Sequence, residues 1–375
     1  MIVSETSPPL FFLRYCLDVS SELPEIANKI DWMDLMTWSE RQAIVGIIYQ
    51  GIQRAGKALN IPFDNLMRWV GYALQIEMQN RLVNKRCVEL TEEMEHDGFR
   101  TCILKGQGVA LLYPNPLLRV PGDIDLWLEG GRDKIMAYVT GKYGRLLERY
   151  HHVELPNEID SVSVEVHFTP SYMFSWRNNK RMQEWFCKQS DANLCKTVRL
   201  TDSDGMVVIP TNEFNLIFLL SHIFRHLFSE GIGLRQVIDY YYLLKSRAEA
   251  QVEKDGIASC WPIEIEKTLR WLGLWKFAGA LMWVLHNRLG LEERYLIAEP
   301  SDKEGRFLWK EIMIGGNFGQ YDTRLGKKYN ESRLSKYLRL TVRNMRLVRH
   351  YPTEALCEPI FRAWYFLWRN NHGLK

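Results

Sequence analysis

Leu104 to Leu128 reads LKGQGVALLYPNPLLRVPGDIDLWL, and the fold turns on its last six residues, Asp123-Ile124-Asp125-Leu126-Trp127-Leu128. Alternate positions are apolar, which is the period of a β-strand whose side chains point to opposite faces. Ile124, Leu126 and Leu128 then share one face, and Asp123 and Asp125 share the other. Aspartate is depleted in strands, and its charged form is costly to bury without a partner. A divalent cation between two such carboxylates removes their repulsion, and oxygen ligands suit Mg²⁺.

The same alternation returns in Ser161–Phe168. Val162, Val164, Val166 and Phe168 take one face there, leaving Ser163, Glu165 and His167 on the other. If the two strands are neighbours with their polar faces aligned, Glu165 becomes a third carboxylate at the metal site. Three carboxylates from two strands can hold two ions, Mg²⁺ or Mn²⁺, for in-line phosphoryl chemistry. Upstream, the short apolar strand Thr101–Leu104 runs into Lys105-Gly106-Gln107-Gly108. Backbone N–H groups at such a strand-to-helix turn favour phosphate, so Lys105, Gly106 and Gln107 are candidate nucleotide-binding residues. Lys105 adds a point charge, and Arg119 can clamp a phosphate through two donors.

Around this segment the periodicity is helical. Residues 1–97 carry helical spacing over Trp32–Arg54 and Leu66–His96, with Asp97-Gly98 as a stop signal. Residues 98–210 read as a mixed α/β core: a helix over Arg132–Tyr143, then a hairpin of Leu146–Leu155 and Ser161–Phe168 joined through Pro156-Asn157-Glu158. Residues 211–375 return to helix. Thr211 or Asn212 caps the first, which runs through Phe228, and Leu234–Arg247, Trp261–Leu289, Ser332–Tyr351 and Pro359–Trp368 follow. The expected class is α+β, a mixed sheet with helices, flanked by an N-terminal helical region and a C-terminal helical bundle.

Composition narrows the setting. Of 375 residues 46% are hydrophobic and 25% charged, and the net charge is only +3, which singles out no acidic partner. The seven cysteines show no C-x-x-C pair, as expected of reduced thiols in a cytoplasmic protein. No export signal and no transmembrane segment is apparent. Lys336, Arg339, Arg343 and Arg346 recur at helical spacing as one positive stripe, a solvated face first and one that could contact an anionic partner second, while Leu338, Val342 and Met345 can face a core. Trp261, Trp271, Trp275, Trp283, Trp309, Trp364 and Trp368 read as core. His222 and His226 have ligand spacing, yet no glutamate follows the first histidine and no third ligand is evident, so a structural or acceptor-site role is expected. Arg235 and Asp239 are spaced for an ion pair along one helix.

Taken together, Asp31-Trp32, Leu104-Lys105-Gly106, Arg119, Gly122-Asp123-Ile124-Asp125-Leu126, Val164-Glu165-Val166-His167 and Leu234-Arg235-x-x-x-Asp239 resemble a bacterial family of uncharacterised nucleotidyltransferases within the DNA polymerase β-like superfamily. The resemblance implies metal-dependent transfer of a nucleoside monophosphate from an NTP, ATP in the first instance, to an unidentified acceptor with release of pyrophosphate. It implies that Asp123 and Asp125 bind both ions, and that Glu165 joins them at the catalytic ion and helps deprotonate the acceptor. It also makes His167, His222, Arg235 and Asp239 candidate site-lining residues. Two features depart from the wider superfamily: Gln107 stands where Gly or Ser usually follows the glycine, and Val109–Pro121 is a longer insert before Asp123. The alternatives are a D-x-D glycosyltransferase using a nucleotide sugar and an inactive nucleotide-binding regulator.

Overall fold

The alternating stretch forms the second strand of a mixed sheet. The computed structural model describes residues 7–156, 162–190, 195–255, 263–324 and 332–371. Strands β1 (Thr101–Leu104), β2 (Ile124–Leu128), β3 (Leu147–Glu148), β4 (His152–Glu154) and β5 (Val164–His167) lie in the order β1-β2-β5-β4-β3. Only β2 and β5 run parallel, and their register sets Asp125 beside Glu165. The other neighbours are antiparallel, with Leu104 opposite Asp125 across β1 and β2.

The apolar face of the sheet is closed by two helices. Ile103, Ile124, Leu126, Leu128, Val164 and Val166 pack on Val83, Cys87, Leu90 and Met94 of the long helix Phe63–His96, and on Ile135 and Val139 of Arg132–Tyr143. The polar face looks toward Asn212–Ser229, where Trp127 stacks near Phe214 with ring centroids 6.2 Å apart. Thr211 caps that helix by accepting from the Phe214 N–H. A two-stranded ribbon, β6 (Cys195–Arg199) and β7 (Met206–Pro210), precedes it. Helices Leu234–Asp255, Ile263–Leu272, Trp275–Trp283, Asp302–Gly315, Arg333–Val348 and Pro352–Asn371 complete the chain. Among the described residues no helix is long and apolar enough to cross a membrane.

Several boundaries differ from the sequence expectation, each for a local reason. The single helix expected over Trp32–Arg54 is two, Trp32–Gln42 and Val45–Ala55, because Ala43 adopts φ +54°. Gln42 is tied to remote backbone there, donating to the Ile312 carbonyl and accepting from the Leu234 N–H, so tertiary contacts override helix propensity. Leu146–Leu155 is two short strands turning through Arg149-Tyr150-His151. The turn at 157–161 lies outside the described residues, as does the start of the expected helix at Trp261. That helix is broken at Gly273, which has φ +76°. The final helix begins at Pro352 and passes through Pro359 instead of starting there.

The basic stripe is corrected at two of its four residues. Arg343 is buried and donates to the Phe228 and Glu230 carbonyls, while Arg346 pairs with Glu311. Leu338, Val342 and Met345, assigned to a core, are the exposed face. The C-terminal carbonyls of a helix lack intrahelical partners, and those of Asn212–Ser229 recruit the arginine inward. Of the tryptophans, Trp283 and Trp309 are buried, Trp271, Trp275 and Trp368 are half-buried, and Trp364 is exposed; Trp261 lies outside the described residues.

Candidate active site

Asp125 lies at the centre of the polar face. Its Oδ1 accepts from Lys105 Nζ at 2.7 Å and lies 2.9 Å from His167 Nε2. Burial alone would raise its pKa, but the Lys105 ammonium and the His167 hydrogen bond hold the carboxyl well below the usual range. Glu165 Oε2 lies 3.3 Å from both His167 Nε2 and His152 Nδ1. Burial opposes its ionisation as well, and His167 more than offsets that, so its pKa is also lowered. Burial would lower the pKa of His167, but its hydrogen bonds to Asp125 and Glu165, on either side, raise it above the ordinary value.

Asp123 sits one residue before β2 and lines the same cleft. Repulsion from Asp125 and then burial push its pKa up to about 6, with Lys105 offsetting part of the effect. The ligand atoms of Asp125, Glu165 and His167 lie within 4.8 Å of one another; Asp123 is outside that group. Three acidic oxygen donors whose charges raise one of their own pKa values fit a hard divalent cation such as Mg²⁺, and Asp123, Asp125 and Glu165 are the residues that would hold it.

Lys105 is aimed by its backbone. It adopts φ +52°, a region that non-glycine residues rarely occupy and that costs about 1–3 kcal/mol, and such strain clusters at functional sites. Gly106 follows at φ +31°. The turn leads into the short helix Gly106–Ala110, and Lys105 Nζ also lies 3.4 Å from His222 Nε2. Burial, reinforced by Lys105, lowers the His222 pKa well below its ordinary value.

A narrow cleft of about 40 Å³, open to solvent, lies between the sheet and the helices Asn212–Ser229 and Leu234–Asp255. Lys105, Gly106, Asp123 and Asp125 form one wall; His222, Arg235 and Phe318 contribute to the other. Gln107, expected at the phosphate, points elsewhere: its amide is buried and donates to Asn80 and Asn84 of the long helix. Arg119 lines the cleft, but its fork is occupied by Asp239, with Nε and Nη2 at 2.7 and 2.8 Å from the two carboxylate oxygens. Tyr113 donates to the same carboxylate at 2.7 Å. Arg235 consequently makes no ion pair with Asp239; its Nη1 donates to the Val120 and Pro121 carbonyls, each at 3.1 Å. Its Nε is buried without a partner.

The sequence reading missed His151 and His152. The pair HH was visible, but its meaning depended on a turn at residues 149–151 that carries no glycine or proline to announce it.

Carboxylates on neighbouring strands, a lysine at the strand-to-helix turn and two helices surround one cleft, an arrangement suited to phosphorus chemistry. Comparison with family models makes this specific: the model described as an uncharacterised nucleotidyltransferase matches residues 28–287, and the chain belongs to that family. It is therefore a transferase of phosphorus-containing groups, which sets aside the glycosyltransferase alternative. Comparison with curated proteins and with solved structures gives no match.

Proposed function

We propose that the chain transfers a nucleoside monophosphate from an NTP to an acceptor, with pyrophosphate leaving, in the manner of the DNA polymerase β-like superfamily. An acceptor oxygen forms a bond to the α-phosphorus as the bond to the bridging oxygen of pyrophosphate breaks. The observation that carries this reading is the parallel register of β2 and β5, which sets Asp125 beside Glu165 with Lys105 on Asp125. Bound Mg²⁺ or Mn²⁺, held by Asp123, Asp125 and Glu165, supplies charge neutralisation at the phosphate and activates the acceptor oxygen. Glu165 receives the acceptor proton on its carboxylate. Lys105 and Arg235 bind the triphosphate, Arg235 through the donors its two backbone carbonyls leave over. Arg119 takes a positioning role: through Asp239 it fixes the approach to Asp123. The working unit extends beyond residues 98–210 on both sides, since His222, Arg235 and Asp239 lie after it and Asn80 before it.

Two variants test the division of roles, with NTP binding and pyrophosphate release measured side by side for each of the common NTPs. Glu165→Gln keeps size and packing but removes the proton acceptor and a metal ligand. It should abolish pyrophosphate release and leave NTP affinity within a few-fold of the parent. Lys105→Ala should weaken NTP binding about tenfold or more, the value of one charge-assisted contact, ~1.4 kcal/mol. Normal turnover by Glu165→Gln, or release of NDP in place of pyrophosphate, rejects the reading.

A further inference from the structure

Beside Glu165 lie three buried histidines. His151 and His152 come from the turn and first residue of β4, and His167 ends β5, paired directly with His152 in the sheet. Their ring centroids form a nearly equilateral triangle with separations of 4.5, 5.1 and 5.2 Å. Each ring offers a nitrogen within 4.8 Å of the others. We propose that His151, His152 and His167, with Glu165 as fourth ligand, form a site for a nitrogen-preferring divalent transition ion of the Zn²⁺ class, distinct from the oxygen-lined site for Mg²⁺.

The spacing fits such an ion. A tetrahedral centre with bonds of about 2.0–2.1 Å separates its ligand atoms by about 3.3–3.4 Å. His151 Nε2 is 3.4 Å from His152 Nδ1, His152 Nδ1 is 3.3 Å from Glu165 Oε2, and Glu165 Oε2 is 3.3 Å from His167 Nε2. The nitrogens that converge are Nε2 of His151, Nδ1 of His152 and Nε2 of His167, while the opposite nitrogen of each ring is buried with no partner. Imidazole ligands favour zinc, cobalt and nickel, whereas carboxylate and water favour magnesium. The ion would hold the Glu165 carboxylate and tie β4 to β5, making it a positioning element for the transfer site.

The site shares Glu165 with the transfer reaction proposed above, but His151 and His152 have no part in that reading, so zinc binding can be tested apart from turnover. The test uses the full chain, stripped with a chelator and dialysed against Zn²⁺ in excess Mg²⁺. One zinc should remain per chain, and Co²⁺ in its place should show the visible bands of a tetrahedral centre. His151→Ala and His152→Ala should each weaken Zn²⁺ binding at least tenfold, whereas Asp123→Asn should leave it unchanged. Because either histidine variant could fail to fold, zinc-edge X-ray absorption on the unaltered chain gives a second readout, expected to show three imidazoles and no sulfur. Substoichiometric zinc, a sulfur ligand, displacement by Mg²⁺ or loss of zinc in Asp123→Asn would each overturn the proposal. A chain that turns over no NTP but binds zinc in this way would sustain it.

Discussion

Asp123 carries the least favourable charge in the site. Its folded pKa of about 6 stands above the ordinary 3.8, chiefly because Asp125 is ionised beside it. The folded chain therefore holds a proton that the unfolded chain releases between about pH 4 and 6, and stability falls as pH rises through that window. Two pKa units amount to about 3 kcal/mol for a sheltered group, and the solvent that still reaches Asp123 reduces this to about 2–3 kcal/mol. In chelator, Asp123→Asn should be more stable than the parent by that amount at pH 7 and equal to it near pH 4, measured by urea unfolding at each pH. His151 and His152, kept neutral by burial, act in the opposite sense in both proteins, so the difference between them is the readout. A constant difference across pH would mean that repulsion is not the cause. At this scale strand alternation alone located Asp125 and Glu165 on one face. It could not reveal that Arg119 is occupied by Asp239, because that partner lies 120 positions away.

Elements whose boundaries depend on local chemistry were legible in the sequence, and those shaped by packing were not. Thr211 caps its helix as its side chain requires, and Gly98 follows the long helix at φ +85°. Arg333–Val348 shows the opposite case. Hydropathy favoured burying Leu338, Val342 and Met345, but the helix turns Arg343 and Asn344 inward to the Phe228 carbonyl. Asn344 also donates to Glu358 of the following helix, at 3.0 Å. Arg343→Ala should thus destabilise the chain by about 2–4 kcal/mol, since carbonyls lose a buried charged donor. Leu338→Ser, on the exposed face, should change stability by no more than about 0.5 kcal/mol. Chemical denaturation of the two variants separates the orientations; a larger loss in Leu338→Ser would restore the apolar face to a core.

Across the whole molecule, the segment that delivers Asp123 to the sheet is held by helices remote from it in sequence. Gly46 lies so near the Leu118 carbonyl that a Cβ there would sit 1.9 Å from its oxygen. Asn80 donates to the Leu117 and Arg119 carbonyls at 2.7 and 2.8 Å, and Arg235 holds the Val120 and Pro121 carbonyls. The segment Val109–Pro121 is thereby fixed from Val45–Ala55, Phe63–His96 and Leu234–Asp255 together. None of these pins was visible in the sequence, because each joins a backbone carbonyl to a side chain with no distinguishing motif. They make the flanking helices part of the site's geometry, a claim that Asn80→Leu tests. Leucine matches asparagine in size but cannot donate, leaving the two carbonyls unsatisfied at a cost of about 2–3 kcal/mol. If that strain is relieved by movement of the segment, Asp123 shifts relative to Asp125. Small misplacements of this kind cost about a hundredfold in rate. Pyrophosphate release should drop by roughly that factor and the Mg²⁺ concentration for half-maximal rate should rise, while circular dichroism stays at the parent level. A variant that loses stability yet keeps both the parent rate and the parent Mg²⁺ requirement would show that the segment is braced for folding alone.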